Sequence, residues 1–442
     1  MLEFNSMDFW WIFWITTLAA TGCISIFVVL SFNEFMFICY AATHRPKFPE
    51  TDKKFRYAVI IPARDESEVI SHSLESLKAQ TYDKDYFDVY VIVERKDDPT
   101  IEITEKLGYK ILFRTNLENR KRKGYALQEA YEQIKATGIK YDSLMIFDAD
   151  NIIDKNFIEQ LNRVKATGRY EIGMGYRKST NSQQNWVTGT STLLFSIMYA
   201  LDSKGKAHYI RNVTVCGTGY YIDTSVIDKE GGWIWTTLTE DAELTKYSLA
   251  KNITCGYNEN AILYDEQPAT LKQMRKQHNR WVLGFLQASG KYKREKRHVG
   301  ETKSEHFLKN YTKMMGVFPL AFIVVTPLVY AIACFVLMGL AYVNNYELWY
   351  FYLIAAILSL IFIYSLFVFV SVFDIVADRR GLEFKFKFGF KVSLMFMFFF
   401  LDFVLAFFRL LNKNNRDWDV IKHSGKVTSK GAKKQINKKD KK

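Results

Sequence analysis

Tyr57-Ala58-Val59-Ile60-Ile61-Pro62-Ala63-Arg64-Asp65-Glu66 sets an unbroken apolar run against a proline and then three charged residues. A run that is apolar throughout, rather than at every second residue, reads as a strand covered on both faces. The same signature recurs outward from it. Asp88–Val93, Lys110–Phe113, Leu144–Phe147 and Glu171–Gly175 read as strands, with Ser67–Ala79, Gly124–Ala136 and Lys155–Ala166 as helices between them. Alternating β and α units predict a mostly parallel sheet with helices on both faces. Ligands in such folds bind at the carboxyl ends of the strands, which singles out Arg64-Asp65-Glu66, Glu94 and Asp148-Ala149-Asp150. No internal repeat interrupts the pattern, and only the last dozen or so lysine-rich residues read as disordered.

Three short motifs inside and just after this region carry chemistry. Asp148-Ala149-Asp150 puts two carboxylates at a strand end, suited to a hard divalent cation that bridges phosphate oxygens; the plainer reading is an acidic turn. Thr239-Glu240-Asp241 opens the helical stretch Ala242–Ala250, where threonine as N-cap and acids in the first turn are ordinary helix-start chemistry. Its functional reading makes Asp241, beside Glu240, the base that takes a proton from an acceptor hydroxyl. Upstream, the glycines of Cys216-Gly217-Thr218-Gly219-Tyr220 either allow close approach of a bulky acceptor or serve a tight turn. In Gln277-His278-Asn279-Arg280-Trp281, Gln277, Arg280 and Trp281 share one face of a helix over Thr270–Ser289. An arginine there can clamp a diphosphate and an indole can stack on a sugar; both could equally anchor an amphipathic helix at an interface.

The flanks differ in kind. Charge nearly vanishes in Phe9–Leu30, Met315–Val343 and Leu348–Phe373 and is sparse in Val392–Leu411. Each run reaches the ~20 apolar residues that span a bilayer core of about 30 Å. The first is too long for a cleaved signal and is preceded by Glu3 and Asp8, so it reads as a retained anchor. Net charge is +13, concentrated beside these runs: His44, Arg45 and Lys47, Lys291 to Arg297, Arg379 and Arg380, and Lys438–Lys442. Cations so placed mark cytoplasmic loops, not a nucleic-acid partner. Charge parity puts the N-terminus outside and the middle of the chain in the cytosol. Basic residues on both sides of Val392–Leu411, with Asp402 inside it, favour an interfacial or re-entrant helix there, giving three crossings, or four if it spans. The five scattered cysteines suggest neither a zinc site nor a disulfide framework.

The order and spacing of these motifs resemble the processive family-two membrane glycosyltransferases, the cellulose, hyaluronan, chitin and poly-N-acetylglucosamine synthases. The resemblance covers roughly Tyr57 to Gln287 and includes Val59–Glu66, Asp97-Asp98, Lys123-Gly124-Tyr125-Ala126-Leu127, the D-x-D, the T-E-D and the Q-x-x-R-W. It implies an α/β, GT-A (Rossmann-like) glycosyltransferase domain inserted between transmembrane helices, with amphipathic interface helices. The implied divisions are a transmembrane helix and linker over 1–50, a cytosolic catalytic domain over 51–268 and interface helices over 269–314. Two transmembrane helices over 315–376, the fourth apolar helix over 377–412 and a gating-like segment with basic tail over 413–442 complete them. Pro62, Ala63, Glu66 and Glu94 would surround the uracil and ribose, with Glu94 where relatives more often carry Asp. Lys123 and Asp148 would contact the nucleotide, and Asp150 with Asp148 would hold Mg²⁺ or Mn²⁺. Asp241 would be the general base, with Glu240 beside it. Gln277, Arg280 and Trp281 would hold diphosphate and acceptor sugar, with Gly217, Thr218 and Gly219 on the acceptor side. Trp418, Lys422 and His423 would belong to a segment that closes over the donor, where relatives usually have Thr at the position of Ile421.

One base and no second carboxylate nucleophile imply inversion at the anomeric carbon. The expected product is a β-linked polysaccharide, a β-glucan first, made from a UDP-sugar and extruded across the plasma membrane. The alternative is transfer of one sugar to a membrane lipid; a third reading, a non-catalytic scaffold, is opposed by the intact Asp148, Asp150, Asp241 and Arg280. Expected partners are the UDP-sugar, the nascent glycan and the bilayer, with a homo-oligomer left open and no nucleic acid.

Overall fold

The computed structural model describes residues 6–43, 47–117, 122–196, 203–289, 291–292, 297, 301–315 and 318–378, together with 391, 394–395, 398–399, 401–402 and 405. Two helices, α1 (Ser6–Leu30) and α2 (Phe32–Thr43), lead into β1 (Tyr57–Pro62), α3 (Ile70–Lys78), β2 (Phe87–Val93), α4 (Thr100–Lys106) and β3 (Lys110–Phe113). Then come α5 (Lys123–Ala136), β4 (Ser143–Ile146), the two-residue β5 (Ile152–Ile153), α6 (Phe157–Ala166) and β6 (Ile172–Ser179). Helices α7 (Trp186–Ser196) and α8 (Lys204–Tyr209) precede β7 (Tyr220–Asp223), α9 (Thr224–Lys229), α10 (Glu240–Lys251) and β8 (Cys255–Asp265). The chain ends its described elements with α11 (Leu271–Ser289), α12 (Lys303–Met315), α13 (Phe318–Val343) and α14 (Tyr350–Asp378).

The strands form one sheet in the order β3-β2-β1-β4-β7-β6-β8-β5. Successive side chains of a strand point to opposite faces, and β1 shows why its whole run is apolar. Tyr57, Val59 and Ile61 pack with Leu74 and Leu77 of α3, while Ala58 and Ile60 pack with Leu127 and Ala130 of α5. The expected mostly parallel sheet is corrected to a mixed one. β1 is parallel to β2 and β4, β2 to β3, and β6 to β8. However, β7 runs antiparallel to both β4 and β6, and β5 antiparallel to β8. β7 enters the sheet between β4 and β6 straight from the tight Gly217–Gly219 turn, where Gly219 N donates to Ile146 O at 2.8 Å and starts its antiparallel run against β4. Glu171–Gly175 is also longer than expected, extending to Ser179 with a register shift between Met174 and Tyr176.

Helices α1, α13 and α14 pack together through a seam of small residues, Ala331, Cys334, Ala341 and Ala356, which lets helices approach closely. Phe9 stacks on Tyr346 with centroids 5.3 Å apart, and Thr17 Oγ1 lies 2.6 Å from Tyr330 Oη. Among the described residues, Met7–Leu30 and Val325–Val343 are long and apolar enough to cross a membrane; Tyr350–Leu366 of α14 is a shorter apolar stretch. In the fourth apolar run, the described residues Leu394, Met395, Phe398, Phe399, Leu401, Asp402 and Leu405 are helical.

Candidate active site

The carboxyl ends of β1, β2 and β4 open onto one cleft of about 240 Å³. After β1 the chain turns sharply: Asp65 is left-handed at φ 58°. That turn is held by Asp98, which is buried and accepts from Asp65 N at 2.9 Å and Thr100 N at 2.9 Å. Of the acidic pair Asp97-Asp98, then, one member buttresses the first loop and the other is an exposed partner of Arg95. The turn leaves Pro62, Ala63 and Glu66 lining the cleft. Glu94, at the end of β2, is bracketed by two cations: Arg64 Nε at 3.3 Å from one carboxylate oxygen and Arg114 Nη1 at 3.1 Å from the other. Arg114 is buried and also binds Glu129, whose second oxygen accepts from Thr115 N at 2.6 Å.

Lys123 begins α5 and reaches into the centre of the cleft. Its Nζ donates to Asp148 Oδ1 at 2.5 Å and to Gly217 O at 2.6 Å, and lies 3.6 Å from Glu240. Burial alone would push this amine down, but Asp148 and Glu240 outweigh it and hold Lys123 above its ordinary range. Asp148 shows the reciprocal balance. Burial would raise it, and Lys123, then Arg177 and Arg280, bring it below the usual carboxylate range. The Asp148 loop is stiffened from behind: its N–H donates to Asn151 Oδ1 and to Thr218 Oγ1, each at 3.0 Å. Asp150 Oδ1 accepts from Asn151 Nδ2 at 3.2 Å.

Glu240 and Asp241 open α10. Threonine 239 occupies the N-cap position but makes no side-chain cap bond. Glu243, fully buried, ties down the loop that leads into the helix, accepting from Thr236 N at 3.0 Å and Thr237 N at 2.8 Å. Asp241 keeps part of the helix-start duty, its Oδ1 accepting from Ala242 N at 2.8 Å. Burial raises Asp241 above its ordinary range, and burial, with the neighbouring Asp241 charge, pushes Glu240 up to about 7. Gly217, left-handed at φ 75°, faces them: a Cβ there would stand 3.2 Å from Asp241 Oδ2. Thr218 and Gly219, expected on the acceptor side, lie elsewhere. Thr218 is buried with its hydroxyl on the Asp148 loop, and a Cβ on Gly219 would meet Leu263 in the core.

Helix α11 closes the cleft from the other side, and Gln277, Arg280 and Trp281 all line it. It can come so near α10 because Gly284 sits against Thr239. The Trp281 ring meets Phe195 edge-on at 5.6 Å and His278 at 5.4 Å. His278 is buried, which lowers its pKa to about 3 and keeps it neutral. Thus Pro62, Ala63, Glu66, Glu94, Lys123, Asp148, Asp150, Gly217, Glu240, Asp241, Gln277, Arg280 and Trp281 share one cleft. Trp418, Lys422 and His423 lie outside the described residues.

Sequence reasoning passed over Arg114, Arg177 and Asp265-Glu266-Gln267, which also line the cleft. Arg177 Nε donates to Asp265 Oδ2 at 2.6 Å, and its guanidinium lies 4.4 Å from the centre of Phe195. Arg114 follows β3 and Asp265 ends β8, so the strand-end rule that flagged the other residues reaches both once β8 is recognised. Among the described residues no three His, Cys, Asp or Glu side chains are grouped so that they could hold a metal ion between them. A cation at Asp148 and Asp150 would take its other ligands from phosphate and water, as Mg²⁺ commonly does with one or two carboxylates. The pair fits that donor set: two hard oxygen ligands at the cleft wall, with Asp148 open to solvent on one side.

This fold and cleft are those of a sugar-transferring enzyme: the chain belongs to the glycosyltransferase like family 2, whose model matches residues 55–284. The matched region is a glycosyltransferase domain of that family. Among curated relatives the chain is 27% identical over 274 residues to a probable glycosyltransferase, YdaM, of Bacillus subtilis (strain 168), covering 57% of this chain and 62% of that protein. It is 22% identical over 234 residues to the beta-monoglucosyldiacylglycerol synthase of Synechocystis sp. (strain ATCC 27184 / PCC 6803 / Kazusa), covering 52% and 47%. The chain therefore spans less than two thirds of the length of either. Among solved structures, the mannosyltransferase PcManGT from Pyrobaculum calidifontis, in complex with GDP-Man and Mn²⁺, superposes with a TM-score of 0.52 at 16% identity, over 77% of this chain and 97% of that one. That likeness is one of fold.

Proposed function

We propose that the chain is an inverting, divalent-cation-dependent membrane glycosyltransferase that polymerises a β-linked glycan, a β-glucan in the first instance, from a UDP-sugar at the cytosolic face of the plasma membrane. The observation that carries this reading is the meeting of Asp148 and Asp150, Asp241, and the Gln277–Arg280–Trp281 face of α11 in one cleft. In this arrangement Pro62, Ala63, Glu66 and Glu94 receive the uridine, and Asp148 and Asp150 hold Mg²⁺ or Mn²⁺, which neutralises charge on the diphosphate. The Pyrobaculum enzyme, solved in complex with GDP-Man and Mn²⁺, is in keeping with that role. Arg280 and Lys123 supply fixed positive charge where the leaving diphosphate develops its own. The acceptor sugar stacks on Trp281, and its hydroxyl loses its proton to Asp241 as its oxygen bonds to the anomeric carbon and the bond to the diphosphate breaks. The raised pKa of Asp241 makes it a better base than an exposed aspartate. Attack from the face opposite the leaving group turns an α-linked donor into a β-linked product.

Helices α1, α13 and α14 are read as the membrane part and the exit route. The second reading, one sugar passed to a membrane lipid, is favoured by the Synechocystis relative, whose name describes a glycolipid product. Purified full-length protein given radiolabelled UDP-glucose and membrane lipid separates the two. Water-insoluble or high-mass label released by a β-glucanase supports polymerisation; label confined to a single-sugar glycolipid sinks it; no transfer from any UDP-sugar sinks both.

A further inference from the structure

The fourth apolar run, Val392–Leu411, holds a single acid, Asp402, among mostly apolar residues. An ionised carboxylate in such surroundings is costly without a partner, and Asp402 is fully buried. Its partner lies 127 residues away on α11: Arg275 donates to Asp402 Oδ1 from Nε at 3.1 Å and from Nη2 at 2.8 Å, with its guanidinium 5.6 Å from the centre of Phe398. Around this pair Met395 packs with Met274 and Val187, and Phe399 meets His278 edge-on at 4.8 Å. Met274 and Arg275 stand four and three residues before His278, so both adjoin it on the side of α11 that meets the C-terminal segment. Gln277, Arg280 and Trp281 form the face that lines the cleft. His278 joins the two faces, touching Phe399 on one side and Trp281 on the other.

We propose that the Arg275–Asp402 pair latches the C-terminal apolar segment onto the back of α11 and so positions Arg280 and Trp281 for transfer. Arg275 touches no substrate in this scheme and is a positioning residue; the inference rests on the sugar-transfer reading of α11. A pair that served only to hold the fold would, when broken, weaken nucleotide binding and turnover together. A latch moves turnover far more than UDP affinity, because the uridine is held by β1, β2 and their loops, while Arg280 acts on charge that develops on the diphosphate as the donor bond breaks.

The test uses full-length protein in detergent, with UDP affinity by titration and transfer from UDP-glucose for wild type, Arg275→Met, Arg275→Lys, Asp402→Leu and the double variant Arg275→Met/Asp402→Leu. Wild-type UDP binding and turnover test the underlying function separately. The expected result is kcat about tenfold down in Arg275→Met and Asp402→Leu, intermediate in Arg275→Lys, and no lower in the double variant than in the singles. UDP affinity stays within about twofold throughout. Unchanged kcat in Arg275→Met, losses that multiply in the double variant, or UDP affinity falling in step with kcat would each overturn it.

Discussion

Gly284→Ala tests whether the crossing of α10 and α11 sets the catalytic geometry. A methyl at Gly284 would stand 2.1 Å from Thr239 Oγ1, 2.6 Å from its Cγ2 and 2.7 Å from its Cβ. Rotation of the threonine side chain can move the first two atoms, but Cβ is fixed to the backbone. Restoring ordinary carbon contact of about 3.5–4.0 Å therefore requires α11 to withdraw by roughly 1 Å. Arg280 is one turn earlier on the same face and withdraws with it, while Asp241 stays two residues past Thr239. A misplacement of that size costs on the order of 10²-fold in rate. Stability moves far less, because overpacking of about 1–3 kcal/mol is set against the ~1 kcal/mol by which alanine exceeds glycine in helix propensity. The assay is kcat for sugar transfer alongside UDP affinity and thermal midpoint. The expected outcome is a kcat loss of about 10²-fold with UDP binding nearly intact. A variant that turns over within about threefold of wild type, or is simply stabilised, refutes the reasoning.

Asp241→Asn keeps the shape and removes the base; kcat should fall by about 10²–10⁴-fold while UDP still binds, and a loss of UDP affinity instead would reassign the residue. Because Asp241 is raised and works deprotonated, kcat/KM should fall as pH drops through a value above the ordinary aspartate range of about 3.9; an acid limb at that ordinary value contradicts the burial argument. Glu240, pushed up to about 7, adds an ionisation near neutrality, and Glu240→Gln should erase that inflection from the profile. Chelation by EDTA should abolish transfer, and Mn²⁺ or Mg²⁺ should restore it; undiminished activity in the chelator would remove the cation from the Asp148–Asp150 site.

Much of the sheet was legible because β1, β2 and β4 are buried on both faces and so apolar without alternation. What escaped was β7 and β8. Tyr220–Asp223 is only four residues long, and Cys255–Asp265 carries Asn258, Glu259 and Asn260 in its middle, so neither shows the apolar run that betrays a buried strand. Missing β8 hid Asp265 and the cleft wall after it. The motif residues were legible as types at spacings, yet their division of labour was not. Asp98, Thr218 and Glu243 look as chemical as Asp148 and Asp241, and only their burial against backbone N–H groups shows them to be the supports. Asp402 looked like an obstacle to membrane insertion because its partner is remote in sequence.

The supports converge on α10. Its start is fixed by α11 at Gly284 and by Glu243, which also receives Lys291 and Tyr292. Its end, where Asn252 turns left-handed at φ 58°, is bonded by Lys309 of α12, itself 3.2 Å from Glu301. Tyr311 of the same helix bonds the carbonyl of Leu30, where α1 gives way to α2, and Glu34 of α2 faces Lys206 of α8 with both side chains buried. The helix that carries Asp241 is thus tied at both ends to elements continuous with the apolar helices. A base held this way cannot follow a lengthening product. On the polymerising reading, each cycle then requires the glycan to slide by one sugar past a stationary Asp241. That places the demand on the Trp281 surface, which must grip a sugar firmly enough to orient its hydroxyl and release it once the next bond has formed.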